Sequence, residues 1–168
     1  MTDLTPAEAQ RLVSPAPFAL LTSLRDDGKT NVMAVSWWCP LSSRPPMLGV
    51  CLSQKGLSGS LIEKRGEFAL NLVGAELKDS ALKCGSCSGR STDKAAAYSI
   101  PLEDASEIGA QIVSGSRAAF ECRLERSAPA GDHTFYIARI VAAHGDAGVD
   151  QLFAFDGYKR LELLNPPV

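Results

Sequence analysis

Short apolar runs closed by turn residues dominate this chain, and few stretches keep a helical period. "FALLTSL" (residues 18–24) and "TNVMAV" (residues 30–35) flank "RDDGK", where glycine supplies a positive φ. That pattern predicts a β-hairpin. "MLGVCLS" and "FALNLV" read as two further strands. "RAAFECRLERS" and "HTFYIARIVAAH", joined by "APAGD", predict a second hairpin, with "LFAFDGY" as a last short strand. Helix signals are sparser. "TPAEAQRLV" opens with Thr5 as N-cap, Pro6 at the first helical position and Glu8 three residues after the cap. "KGLSGSLIEKRGE" predicts a short helix burying Leu57, Leu61 and Ile62, and "AELKDSALK" is helical as well. "CGSCSGRSTDK" reads as a loop, and "AAAYSI" fits either type. Hairpin-linked strands with few helices predict a mainly β fold: an antiparallel barrel, closed or nearly closed, with helical insertions. No repeat, low-complexity tract or linker divides the 168 residues, so one domain over 1–168 is expected.

Composition narrows the partners more than the fold. A net charge of -2 provides no reason to expect nucleic acid or an anionic membrane as partner. No apolar run approaches the roughly 20 residues of a membrane span. The polar start "MTDLTPAEAQ" lacks a signal-peptide pattern, so a cytoplasmic protein is expected. Five cysteines make a disulfide framework unexpected. Cys39, Cys51 and Cys122 lie in apolar runs and read as core residues. Cys84 and Cys87 form a single C-x-x-C. Zinc would need two more ligands, and His133 and His144 do not form a suitable pair, so no metal is expected. The pair reads as a redox couple or as plain loop thiols, and no βαβ unit follows it as in thioredoxin-type sites. G-x-G-x-x-G, the P-loop, G-x-S-x-G and H-E-x-x-H are all absent. A nicotinamide would have to bind without a dinucleotide-binding fold.

Four stretches carry candidate chemistry, and each has a plainer structural reading. In "SWWCPLSSRPPM", Ser36 and Trp37 end a strand before a double-proline exit. The tryptophans suit either lids on the core or an apolar wall for a planar heterocycle, with Ser36 and backbone N–H groups as donors. In "SQKGLSGS", Ser53, Lys55 and Ser58 surround a helix start, where free N–H groups favour an anion; an ordinary serine-capped helix has the same look. In "CSGRSTDK", Arg90 and Lys94 suit a cationic loop closing on a phosphate, or a solvated turn with an Asp93–Lys94 pair. In "GDH", His133 opens a strand, as a titratable contact or as an ordinary surface residue.

The order of these stretches is more specific than any one of them. Asn-x-x-x-x-Ser-Trp with a Pro-Pro exit, the Ser/Lys helix entry, "GEFALNLV", "CGSCSGRSTDK" and "GDH" together resemble the flavin reductase-like, FMN-binding split-barrel family, its flavoredoxin branch in particular. The resemblance spans residues 18 to 158. It implies a homodimer with FMN at the subunit interface. It implies Met33, Ala34, Val35, Ser36 and Trp37 near the ring, and Ser53, Lys55 and Ser58 around the phosphate. Arg90 and Lys94 would lie on a closing loop, with His133 as a nicotinamide contact; no side chain is singled out as acid or base. The activity implied is that of an FMN-binding oxidoreductase. It would be an NAD(P)H-dependent flavin or ferric reductase drawing on NADH or NADPH, or a flavoredoxin-like electron-transfer protein. The rival is a non-catalytic split barrel that carries flavin or haem. Haem would want an axial histidine in a deep apolar pocket, and the two histidine contexts look exposed.

Overall fold

The computed structural model describes residues 2–164. In chain order the elements are α1 (Pro6–Arg11), β1 (Ala16–Pro17), β2 (Ala19–Leu24), β3 (Thr30–Val35), β4 (Trp38–Ser43) and β5 (Pro46–Ser53). There follow α2 (Leu57–Arg65), β6 (Glu67–Leu72), a 3₁₀ turn (Ala75–Leu77), α3 (Lys78–Ser86) and α4 (Lys94–Ala97). The chain ends through β7 (Leu102–Glu103), β8 (Ile112–Val113), β9 (Ala118–Ala130), β10 (His133–His144), β11 (Leu152–Phe155) and β12 (Arg160–Leu163).

Seven strands pair antiparallel in the order β3-β2-β6-β9-β10-β5-β4. The two edges of this sheet meet. Val35 on β3 and Trp38 on β4 pack into one apolar cluster with Leu21, Val50, Phe68 and Tyr136. A sheet whose edge strands share a core has curled on itself, giving a split barrel. The smaller sheet β1-β11-β12 and helix α3 cover the outer face of β2 and β3. There Phe18, Leu20 and Val32 meet Ala81, Cys84, Leu152 and Leu161. β2 is thus buried on both faces, which explains why Phe18 to Leu21 run apolar where a half-exposed strand would alternate. On the far side Glu121 is fully buried and accepts N–H bonds from Ser106 and Glu107, with His144 Nε2 at 2.6 Å. Burial works to raise its pKa, but these donors outweigh it and hold the carboxyl below its ordinary value.

Both long hairpins form as the pattern predicts, with Gly28 at φ 80° in the first turn. The Thr5–Glu8 capping box closes α1, which buries none of its own residues. Three expectations are corrected. The stretch after Trp37 is a strand and not an exit: β4 pairs with β5, and the two prolines make the hairpin corner. An edge strand tolerates Pro40, whose missing N–H costs no ladder bond on the open side, and a register shift follows it. Helix α3 continues through Cys84 to Ser86, where a loop was expected, because Cys84 is buried in the outer cluster. Of the three cysteines expected in the core only Cys122 is fully buried; Cys51 is half-buried and Cys39 exposed on the edge strand.

Candidate functional site

The C-terminal half of β3 forms the floor of a cleft of about 750 Å³. Met33, Ala34, Val35 and Trp37 line it from one wall. Opposite, the end of β5 presents Ser53, and the first residue of β10, His133, sits directly across from it in the sheet register. Leu82 and Gly85 of α3 and Gln10 and Arg11 of α1 complete the rim. The tryptophan pair divides its work. The Trp38 indole donates to the Pro17 carbonyl at 3.1 Å and packs on the barrel core, as a lid would. Trp37 is 49 % exposed and lies tilted against the His133 ring, centroids 4.8 Å apart. His133 Nδ1 lies 2.7 Å from the Asp132 carboxylate, and this partner holds the Asp132 pKa below its ordinary value.

Ser36 is buried, and its backbone N–H donates to the Tyr158 hydroxyl. Asp156, Gly157 and Tyr158 all have positive φ (51°, 64° and 74°), a backbone path that L side chains resist. That tight turn swings Tyr158 from between β11 and β12 into the cleft wall, edge-on to Phe18. Burial pushes its phenol pKa up. Tyr158 is not among the residues singled out from sequence; its one signal there is the "DGY" turn.

A smaller recess of about 180 Å³ adjoins the cleft, sharing Met33, Ala34 and Gly85 with it. Its polar walls are interlocked. Asn31 Nδ2 donates to Ser58 Oγ at 2.9 Å and to Ser23 Oγ at 3.3 Å. Gly89 backs onto Asn31 so closely that a Cβ would overlap the asparagine Oδ1. Arg25 Nη1 pins the Gly89 carbonyl at 2.7 Å. Lys94 is only 7 % exposed; its ammonium donates to the Cys84 carbonyl at 2.7 Å and makes no ion pair among the described residues. The first turn of α2 also faces the recess, and its cap, Gly56, supplies no side-chain acceptor.

Of the residues singled out from sequence, Met33, Ala34, Val35, Trp37, Ser53 and His133 share the large cleft. Ser58 and Lys94 share the recess, so Ser53 and Ser58 lie at different ends. Lys55 and Arg90 are exposed and line neither cavity. Asp93 pairs with Lys29 at 2.9 Å and caps α4, leaving Lys94 to turn inward.

A model of the flavin reductase like domain matches residues 11–162. The chain belongs to that family. It is 33 % identical over 123 residues to an uncharacterized protein of Archaeoglobus fulgidus, covering 73 % of this chain and 70 % of that protein. It is 31 % identical to the flavin reductase (NADH) of Kitasatospora aureofaciens over 76 % of this chain and 65 % of that protein. The fold is shared with flavoredoxin from Methanosarcina acetivorans, at a TM-score of 0.88 and 20 % identity, covering 100 % of this chain and 93 % of that one. Both thiols of the C-x-x-C, Cys84 and Cys87, line the recess of this flavin reductase-like domain. Burial pushes Cys84 up to about 11, and Cys87 Sγ rests 3.1 Å from the Tyr98 hydroxyl. Among the described residues no cluster of three or more His, Cys, Asp or Glu is placed to hold a metal ion.

Proposed function

We propose that this chain is an FMN-binding oxidoreductase of the NAD(P)H-dependent flavin reductase type, reading 1–168 as one domain. One observation carries the reading: an apolar cleft runs into a polar recess that holds a buried lysine without a carboxylate. A buried ammonium left unpaired is costly, so such a site fits an anion. The uncapped first turn of α2 adds free N–H groups on the same side. The cleft's volume and apolar walls fall in the range of small-ligand sites and suit a tricyclic ring.

In this reading Met33, Ala34, Val35, Ser36 and Trp37 bed the ring, while Ser58 and Lys94 hold the phosphate and Asn31 fixes the Ser58 hydroxyl. Ser53 borders the ring end. Lys55 and Arg90 act only through their long-range field. Bound there, FMN supplies the two-electron chemistry that links a nicotinamide donor to free flavin or a ferric complex. The chain's own tasks are to bind, to orient and to exclude water. Asp132 occupies His133 Nδ1, leaving Nε2 as the ring atom available to a nicotinamide amide, and Trp37 fixes the imidazole plane. The exposed Trp37 and Leu41 beside the β4 edge support a homodimer, in which a second copy covers this rim. Free thiols throughout fit a reducing cytoplasm.

The test compares FMN with riboflavin on the purified chain, followed by anaerobic mixing with NADH and with NADPH. FMN should bind at least about tenfold more tightly, the worth of one charge-assisted contact. It should load at about one per chain on a sedimenting dimer and be reduced by at least one nicotinamide. Equal affinities would remove the phosphate site. Bound flavin that neither donor reduces would remove the reductase assignment, and a loaded monomer the dimer.

A further inference from the structure

Among the described residues, the lining of the large cleft contains no aspartate, glutamate or lysine, and a single arginine, Arg11, at the end of α1. Arg11 is exposed and makes no ion pair among the described residues. The helix that carries it is closed by its own Thr5–Glu8 capping box and buries no side chain, so it rests on the rim without being locked there. The recess meanwhile has a cation of its own in Lys94. Two positive charges thus serve one continuous site, one buried at the inner end and one free at the rim.

We propose that Arg11 is a specificity-determining residue that receives the diphosphate of the nicotinamide donor; this rests on the reductase reading above. FMN brings one phosphate, and the recess already matches it. The next anion to enter the cleft is the dinucleotide's diphosphate, which carries two charges and oxygen pairs that suit a guanidinium fork. As the one arginine among the described residues that line the cleft, Arg11 can offer its guanidinium directly to an anion at the rim. Lysine would keep the charge and lose the fork. Arg11 touches no reacting atom in this scheme; it selects donors that carry a diphosphate over donors that do not.

The experiment uses the FMN-loaded protein and its Arg11→Gln and Arg11→Lys variants, with NADH, NADPH and 1-benzyl-1,4-dihydronicotinamide, which has no phosphate. Loss of a bidentate charge-assisted contact should raise KM for NADH and NADPH about tenfold or more in Arg11→Gln. Arg11→Lys should fall between, and kcat should change by less than about twofold. Oxidation of the benzyl donor should be unchanged. Calorimetric binding of NAD⁺ should weaken in parallel with KM, while FMN affinity stays constant. An unchanged KM for both dinucleotides, an equal loss with the benzyl donor, or a loss confined to NADPH would each overturn the assignment. The last would move Arg11 to the 2′-phosphate. If the unmodified protein oxidises none of the three donors, the reductase reading itself falls and the Arg11 assignment with it.

Discussion

The recess around Lys94 and the cleft above β3 adjoin through Met33, Ala34 and Gly85, yet they are made from different parts. In the recess side chains hold one another and the backbone: Asn31 on Ser58 and Ser23, Lys94 on the Cys84 carbonyl, Arg25 on the Gly89 carbonyl. In the cleft the floor is a strand, but part of the rim comes from pieces with loose attachments: α1 and an exposed Trp37. A set of mutually satisfied polar groups has one low-energy arrangement. An apolar strand face with peripheral side chains accepts several. The difference assigns fixed recognition to one end and adjustable recognition to the other. It follows that substitutions in the recess should separate FMN from riboflavin, and those in the cleft should weaken the two flavins alike.

The largest effect that tests this contrast is expected from Gly89→Ala. A Cβ there overlaps Asn31 Oδ1 and comes within 3.2 Å of Leu57, so the wall must move. FMN affinity should fall about a hundredfold, roughly 2.7 kcal/mol, with riboflavin much less affected. Equilibrium flavin titration measures both, and near-native FMN affinity would mean that the recess is as yielding as the cleft. Lys94→Met comes next. It keeps the chain length and removes the charge, so FMN should weaken roughly tenfold to thirtyfold and riboflavin not at all. The melting temperature of the flavin-free protein should hold or rise, since an unpaired buried charge is lost. Equal weakening of both ligands would break the comparison at its centre. Tyr158→Phe is the mildest. It leaves the Ser36 N–H without its acceptor, costing about 1–3 kcal/mol of stability. Both flavins should weaken together, by about fivefold at most. A loss confined to FMN would place Tyr158 with the phosphate.

What could be read in the chain follows the same divide between regular and irregular backbone. The hairpins of β2–β3 and β9–β10 were legible because apolar runs end in turns with a glycine at the positive-φ position. The α1 capping box was legible to the residue. β4 was not, since proline and serine usually mark turns and only an edge position makes them tolerable in a strand. The end of α3 was missed because Cys84-Gly85-Ser86 is a poor helix by propensity and is held by burial against β2 and β3, which local sequence does not display. Among candidate site residues, the β3 floor and His133 came from strand ends, where direction is set by pairing. Lys55, Arg90 and Lys94 stand out by charge beside a helix start or in a Ser/Gly loop, and by the resemblance. Charge does not say whether a long side chain turns out or in, and here two face solvent while the third is buried.

β2 has one further consequence. Leu21 faces the barrel and Leu20 the outer cluster under α3, so adjacent residues belong to different cores. The strand is a party wall: neither room can be demolished while the other stands. Opening the helix layer that frames the recess strips one side of β2 and weakens the barrel behind it, so the amide hydrogens of this strand should exchange only when the whole fold opens. A ligand seated against α3 and β3 therefore braces the barrel as well as its own walls, and its binding energy adds to the stability of the entire unit.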